Sequence, residues 1–378
     1  MFDDLPYLEN ASKVFPTTIS GTIPPNLFKY NPRLSEVNYL FDGCTMIEGS
    51  IPETLLAGKD QLKSANGLFR GCTGINSIIP RRLFEGCVVL TDIKEIFSGC
   101  KSLTGQIPAR VTRTIQVPSE ENPDEMIEVV EIVEYGLFDY ATSIRNAAGV
   151  FCDCIKLNGN IPEELFVAGN QIEDLSNAFA RCYELSGPIP AGLLKNCRSL
   201  LKASSMFLDC CKLGRSDVSI TEDDPWAVPP ELFENCKELI DASNCFYMWG
   251  QNKPQESVLK GKISPLMLRN NRKLKNVSGM FTATPVSGEV PGNLFLTNTS
   301  LENASRMFTA TRVTSIGSGF LSNSPNIKTV EEMFWQSSQI SGAVPELWNI
   351  GGLVGTRCYA GLSSSKVTNW RDIPDNWK

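Results

Sequence analysis

Apolar positions recur along this chain with one spacing, and a single repeated phrase accounts for them. Each copy opens on an aliphatic residue, has a small or aliphatic residue three positions later, and reaches phenylalanine seven positions later. The copies open at Leu8, Leu34, Leu62, Leu90, Ile144, Ile172, Leu200, Leu239, Leu274, Leu301 and Ile327. The most regular spacing between them is 28 residues. A fixed period of this length predicts a solenoid, because no single unit buries its apolar side chains alone.

The second half of each unit repeats as well. Three residues after the phenylalanine, six copies carry Cys44, Cys72, Cys100, Cys154, Cys182 and Cys210. A glycine and an Ile-Pro or Val-Pro step usually follow. A second apolar pair, such as Leu83-Phe84, closes the unit, and another cysteine can follow it, as at Cys87, Cys197 and Cys236. Stacked units would place cysteine on cysteine, so we interpret the cysteines as buried thiols that act as small hydrophobic residues.

The run Phe179-x-x-Cys182-x-x-Leu185 with the Ile189-Pro190 step resembles the BspA-like leucine-rich repeats, and the resemblance covers essentially the whole chain. The Leu-x-Gly-x-Ile-Pro portion is similar to the plant-type leucine-rich repeat. The resemblance implies an α/β-type repeat solenoid, a right-handed leucine-rich-repeat superhelix of about eleven coils of 26–28 residues with short parallel strands. Residues 1–378 would form one such domain. The strand is either the Leu-x-Gly-x-Ile stretch, which we favour, or the stretch that ends on Met-Phe.

Two insertions interrupt the repeat, and insertions in solenoids form surface loops. Within residues 113–136, two β-rich segments flank an acidic one, which predicts an inserted β-hairpin with Glu120, Glu121, Asp124 and Glu125 at its tip. The hairpin is either an arm that contacts a partner or a solvated excursion whose acidic residues keep it soluble. Both interpretations stay open, because the hairpin carries more apolar side chains than a free one needs.

The second insertion, residues 214–228, carries several carboxylates and Trp226. Carboxylates on a flexible loop suit calcium, but these lack EF-hand or nonapeptide spacing, so we predict no metal site. Tyr247 and Trp249 follow in a neighbouring loop. Exposed aromatic side chains are favoured at interfaces, whereas packing on the solenoid edge is the alternative for these two. The candidate binding residues are therefore the acidic tip, Trp226, Tyr247 and Trp249.

Composition argues against catalysis. The chain has no histidine, which removes the commonest general base and the commonest zinc ligand. Carboxylate pairs such as Glu331-Glu332 occupy variable positions, where we expect them to be solvated. The sequence contains neither a Walker A motif nor a dinucleotide-binding fingerprint. We therefore predict that the protein is not an enzyme and uses no cofactor.

Charge and hydropathy narrow the partners. A net charge of −7 and a pI of about 5.0 disfavour nucleic acid. No apolar run approaches the roughly 20 residues that membrane insertion needs, and no secretory signal is visible. The resemblance implies recognition or adhesion, with a protein or glycan ligand on a cell surface, as in a phage tail fibre or other virion component, or a bacterial surface adhesin. The alternative is an intracellular, cytoplasmic scaffold that assembles other proteins.

The two ends of the repeat array differ. The first copy opens at Leu8, which leaves little sequence for a polar cap, so coil one is expected to dock on a partner subunit or an upstream domain. Residues 358–378 form the predicted C-terminal cap. In this cap, Trp370 and Trp377 could cover the last layer of the core.

Overall fold

The computed structural model describes residues 2–119, 125–215, 220–249 and 257–378. Its coils stack in parallel and meet along two lines of backbone contact. Along the first line, the contact is made by the residue two positions after each leading aliphatic residue. This residue bridges to the equivalent residue of the next coil, and the bridges run from Asn10–Glu36 to Thr329–Val354. The other joins the Leu-x-Gly stretches of successive coils, as in Gly159–Leu185. The chain is therefore a leucine-rich-repeat solenoid, as the repeat predicted.

Strands and helices in the described residues are short. The strands are β1 (Ser20–Gly21), β2 (Met46–Ile47), β3 (Val111–Pro118), β4 (Met126–Glu134), β5 (Ser287–Val290) and β6 (Arg312–Ile316). β1 pairs with β2, and β5 pairs with β6, both in parallel. Both pairs lie in the Leu-x-Gly-x-Ile stretch, which is the segment that we favoured as the strand. β3 and β4 pair antiparallel.

The segments between the strands are turns and 3-10 helices, and none of the described residues is α-helical. The 3-10 helices occupy Gly169–Gln171, Leu347–Asn349, Trp370–Asp372 and Asp375–Trp377. Each is a single turn, so the coils are held by contacts with their neighbours and not by helices of their own.

A phenylalanine column runs through the stack. It contains Phe15, Phe41, Phe69, Phe97, Phe151, Phe179, Phe207, Phe246, Phe281, Phe308 and Phe334. Neighbouring ring centroids lie between 5.1 Å and 6.0 Å apart, with ring planes within 21° of each other. Tyr359 extends the column at 5.9 Å from Phe334 and marks a twelfth coil. Each buried phenylalanine contributes about 1.5–3 kcal/mol, so the column is a major part of the stability.

We call the stretch from the residue after the leading aliphatic residue to the second residue after the column phenylalanine the turn face. In the second coil it comprises residues 35–43. Alternate N–H groups donate to the next coil, from Val37 to the Ser64 carbonyl (3.0 Å) and from Tyr39 to the Asn66 carbonyl (2.7 Å). The residue five positions after the leading one is left-handed in all twelve coils, with φ of 55° at Tyr39. Nine of these twelve are not glycine, an uncommon conformation that recurs here because inter-coil hydrogen bonds hold it.

The column cysteines are hydrogen-bond donors as well as small apolar residues. The Cys182 thiol donates to the Phe151 carbonyl of the preceding coil at 3.0 Å, and the Cys72, Cys100, Cys154 and Cys210 thiols repeat this contact. In later coils a hydroxyl takes the slot. Thr311 Oγ1, for example, donates to the Phe308 carbonyl at 2.9 Å. Apart from the coil of Phe246, where Trp249 fills the slot, the slot thus holds a small side chain with a proton to donate from Phe15 to Phe334, a role beyond the hydrophobic one we predicted.

Burial also keeps these thiols protonated. All thirteen cysteines are free and buried, and burial raises the pKa of the Cys100 thiol to about 12, whereas an unfolded thiol titrates at about 8.5. Because the pKa is higher in the folded chain, protonation of this thiol adds to the free energy of unfolding. The contribution is fully present below about pH 8 and is lost as the pH rises through about 12. At about pH 8 we expect a thiol-reactive dye to label the folded chain negligibly and all thirteen cysteines after denaturation. Fast labelling without denaturant would contradict this assignment.

Asparagine stands in the second cysteine slot of three coils. The Asn271 side-chain amide donates to the carbonyls of Phe233 (3.0 Å) and Cys236 (2.8 Å) in the preceding coil. Asn298 and Asn31 make the same double contact with their own neighbours. Each of these carbonyls also accepts a backbone N–H of its own coil, so the buried asparagine supplies a second donor and ties two coils together.

The two ends of the core are covered to different extents. Phe2 is 5% exposed and stacks on Phe28 at 5.4 Å. Tyr7 in the same region is 73% exposed. At the other end Trp377 is buried and stacks on Tyr359 at 6.3 Å, while Trp370 is only partly buried. The last ring of the column is thus covered by Trp377, whereas the first coil keeps exposed aromatic surface.

Candidate binding surface

A groove of about 640 Å³ crosses the turn face over the last six coils. Serine, asparagine and glycine supply five of its eleven lining residues. Leu208 and Tyr247 stand at one end, and Arg306, Glu331 and Thr356 lie toward the other. Because left-handed residues recur along this face, the backbone that carries the groove is held in an uncommon conformation, which is frequent at ligand sites.

Aromatic side chains stand beside the groove. Tyr247 is half-buried, and burial together with the charge of Asp209 raises the pKa of its hydroxyl. Trp249 is 43% exposed and stacks on Trp335 at 6.2 Å, with the planes 18° apart. Trp249 follows Phe246 and Trp335 follows Phe334, so the indole pair spans the two coils between them. Of the sequence-predicted residues, Tyr247 lines the groove. Trp249 and Trp335 lie outside the lining and are linked to it through Arg357, which contacts both Trp335 and Glu332.

A cluster of paired charges fixes the wall of the groove. Glu332 accepts hydrogen bonds from Arg306 Nε at 2.8 Å and lies 3.1 Å from Arg357 Nη1. The Arg357 guanidinium lies over the Trp335 ring, 5.0 Å from its centroid. The Glu332 side chain is only 16% exposed, so the expectation that it is solvated was wrong. Two arginines could compensate the burial of this carboxylate because each reaches it from a neighbouring coil.

Trp226 lines a different groove, of about 1050 Å³, among Pro188, Pro190 and Pro229. It shares no lining residue with the turn-face groove. Arg215 Nη1 lies 2.6 Å from an Asp224 carboxylate oxygen in the same loop. The structure therefore separates Trp226 from Tyr247 and Trp249 and pairs one of the loop carboxylates with an arginine.

The hairpin of β3 and β4 is anchored at its base and exposed along its length. Arg81 donates to the Tyr135 carbonyl at 2.8 Å and forms an ion pair with Glu134 at 2.9 Å. Val130 is 65% exposed. Glu125, whose carbonyl accepts from the Ser119 N–H at 2.7 Å, belongs to the described residues. The other predicted tip residues, Glu120, Glu121 and Asp124, lie outside them.

Four residues of the site were not singled out from the sequence. Arg306, Glu332 and Arg357 occupy the left-handed position of three consecutive coils, and Trp335 directly follows the column phenylalanine. Residue type at both positions changes from coil to coil, so the repeat gives no signal there. A tabulation of those two positions along the chain would have shown the arginines and the tryptophan side by side.

No family model and no curated protein matches the chain. Among solved structures it is similar to a TDR receptor, with 16% identity over 92% of this chain and 55% of that one, at a TM-score of 0.41. It is similar to a chain of the Toll–Spatzle complex of Drosophila (14% identity, 85% and 37% covered, TM-score 0.38) and to the TLR13–ssRNA13 complex (12%, 94% and 55%, 0.31). The chain spans about half the length of the first and third, and less of the second. Within its described residues, no helix has the length and apolar character to cross a membrane.

Proposed function

We propose that this chain is a non-enzymatic recognition scaffold that binds a protein or glycan on a cell surface through the turn-face groove. The observation that carries the proposal is the groove itself, whose lining holds paired charges on a stack of coils, with a stacked indole pair linked to it through Arg357. Side chains that are locked before a ligand arrives lower the entropic cost of binding. Tyr247 and Trp249 are the predicted residues that we assign to contact.

The chemistry of the side chains supports binding over catalysis. The chain contains no histidine, and burial raises the pKa of its column thiols, so a thiolate nucleophile is disfavoured. The half-buried carboxylate of Glu332 is paired with two arginines, so its oxygens are engaged in structural contacts. These features suit a surface that holds a ligand without transforming it.

We propose a phage tail fibre or another virion component as the setting, with a bacterial surface adhesin as a second setting. Thirteen free cysteines suit a chain that folds in a reducing compartment, as a virion protein does inside its host. The same observation favours the alternative function, an intracellular scaffold for other proteins. The exposed aromatic surface of coil one, including Tyr7, is a candidate contact for a partner subunit in each setting.

Binding of the labelled chain to a panel of bacterial strains, measured by flow cytometry, tests the proposal. We expect saturable binding to at least one strain, and a loss of about tenfold in affinity for Tyr247→Ala combined with Arg306→Ala. Tyr30→Ala, an exposed tyrosine far from the groove, is the matched control and should bind like the parent. If the double substitution leaves binding unchanged, or if the chain binds to none of the strains, the groove is not a cell-surface binding site.

A further inference from the structure

We propose that the turn-face groove takes a neutral oligosaccharide, laid across successive coils; this rests on the proposed function and specifies its ligand. The juxtaposition that carries it is a hydroxyl- and amide-rich floor beside an indole pair and a closed set of ion pairs.

The charges of the groove cancel. Arg306, Glu331 and Glu332 are the charged residues of the lining, and Arg357 pairs with Glu332 from outside it; with Arg357 counted, the sum is two minus two, or zero. Both arginines are already engaged by Glu332. An anionic ligand would have to compete with that carboxylate, and a cationic one would find Glu332 occupied. The electrostatics therefore favour a ligand without net charge.

The floor offers groups that both donate and accept hydrogen bonds. Ser278 and Ser305 carry hydroxyls, and Asn244 and Asn303 carry amides. Sugar hydroxyls have the same dual character and are matched by such side chains. Leu208 is the one aliphatic residue of the lining, so the groove has no apolar hole of the kind that receives an anchoring side chain of a protein partner.

Aromatic groups supply the remaining contact. Trp249 keeps 43% of its surface exposed although it stacks on Trp335, and the C–H groups of a sugar ring are attracted to such a π-surface. A tyrosine hydroxyl is protonated at physiological pH, and burial raises the pKa of Tyr247 further, so its hydroxyl can donate. The arrangement thus provides both the stacking and the polar contacts that a pyranose needs.

The spacing of the coils favours a polysaccharide over a peptide. Stacked coils lie about 4.7–4.9 Å apart, whereas an extended polypeptide advances about 3.3 Å per residue and falls out of step with them. A pyranose ring is nearly as long as the coil spacing. Successive sugar units could therefore meet equivalent positions on successive coils, such as the serines at 278 and 305.

Isothermal titration calorimetry with cellohexaose, xylohexaose, mannohexaose and maltohexaose, and with hexagalacturonate as the acidic counterpart, tests the proposal. We expect at least one neutral hexasaccharide to bind, hexagalacturonate to bind at least about tenfold more weakly, and Trp249→Ala to lower the neutral affinity by about tenfold. Tyr247→Phe, which keeps the ring packed, should lower it by a smaller factor. Tyr30→Ala should leave it unchanged, and circular dichroism confirms that each variant is folded.

Two results would overturn the inference, and they separate it from the proposed function. If none of the neutral sugars binds while the groove substitutions still abolish cell binding, the ligand class is wrong and the groove function stands. If the acidic sugar binds more tightly than every neutral one, the charge argument is wrong. If the groove substitutions leave cell binding unchanged, the proposed function is wrong, and this conclusion does not depend on the sugar titrations.

Discussion

Replacing Phe151 with alanine should lower the free energy of unfolding by about 3–5 kcal/mol, the largest effect of any single substitution considered. Phe151 is fully buried in the middle of the column, 5.8 Å from Phe97 and 5.7 Å from Phe179. Alanine would leave a cavity whose walls are the rings above and below, and stacked rings cannot collapse into it without moving whole coils. Urea denaturation followed by circular dichroism measures the change.

Phe15→Ala is the matched control for this prediction. Phe15 belongs to the same column but lies in the first coil and is only partly buried. We expect a loss of about 1–2 kcal/mol there, because less area returns to water. Equal losses at the two positions, or a loss below about 0.5 kcal/mol at Phe151, would show that the column does not carry the stability.

Asn271→Leu should be the second most destabilising change. Leucine has the same branching but cannot donate, so the carbonyls of Phe233 and Cys236 would lose their side-chain partner and keep only their backbone donors, Cys236 and Leu239. Two lost hydrogen bonds at about 0.5–1.5 kcal/mol each predict a total loss of about 1–3 kcal/mol. The same denaturation experiment measures it.

The adjacent Asn270 provides the control. Its amide donates to the Glu234 carbonyl at 3.1 Å, but this hydrogen bond is exposed to solvent and Asn270 is only partly buried, so water can replace the amide. We expect Asn270→Ala to change the stability by less than about 0.5 kcal/mol. A small effect at Asn271 as well would mean that the apolar gain of leucine offsets both lost hydrogen bonds, and the asparagine slot would then have no structural requirement for a donor.

The periodic part of the fold could be predicted from the sequence, because burial at a fixed position selects the same residue in every coil. The phenylalanine at 179 recurs at the same position in ten other coils, and the cysteine at 182 recurs in five. Tyr359 was missed as a column member because a hydroxyl replaces the usual phenyl edge; in the structure its oxygen donates to the Pro345 carbonyl at 2.7 Å. Because the repeat was identified by its phenylalanine, the coil that carries Tyr359 in that position was not counted.

The donor role of the small slots could also have been inferred. Asn31, Asn271 and Asn298 stand three residues after the second apolar pair, the position that Cys236 fills elsewhere. Cysteine and asparagine share little hydrophobicity, but Cys87 and Asn271 both donate to a carbonyl of the preceding coil, whereas Ala141 and Gly169 fill the slot without a side-chain donor. An interpretation based on apolar character alone therefore did not explain why asparagine can stand in place of cysteine at this position.

The binding surface was largely beyond prediction from the sequence. Arg306, Glu332 and Arg357 stand about 25 residues apart and meet only because the stack brings one position of each coil into a row. Solvent exposure lets those positions vary, so no period marks them. Trp249 was singled out as an isolated aromatic residue, whereas its contact with Trp335 depends on the register of coils that are not adjacent.

A crystal structure of the chain tests the central claim most directly. The account predicts eleven phenyl rings in one row from Phe15 to Phe334, with neighbouring centroids 5.1–6.0 Å apart and Trp377 covering Tyr359 at the end. Rings distributed among separate cores, or turned toward solvent, would contradict the single stack. The turn-face groove would then lose the rigid support on which both binding proposals depend.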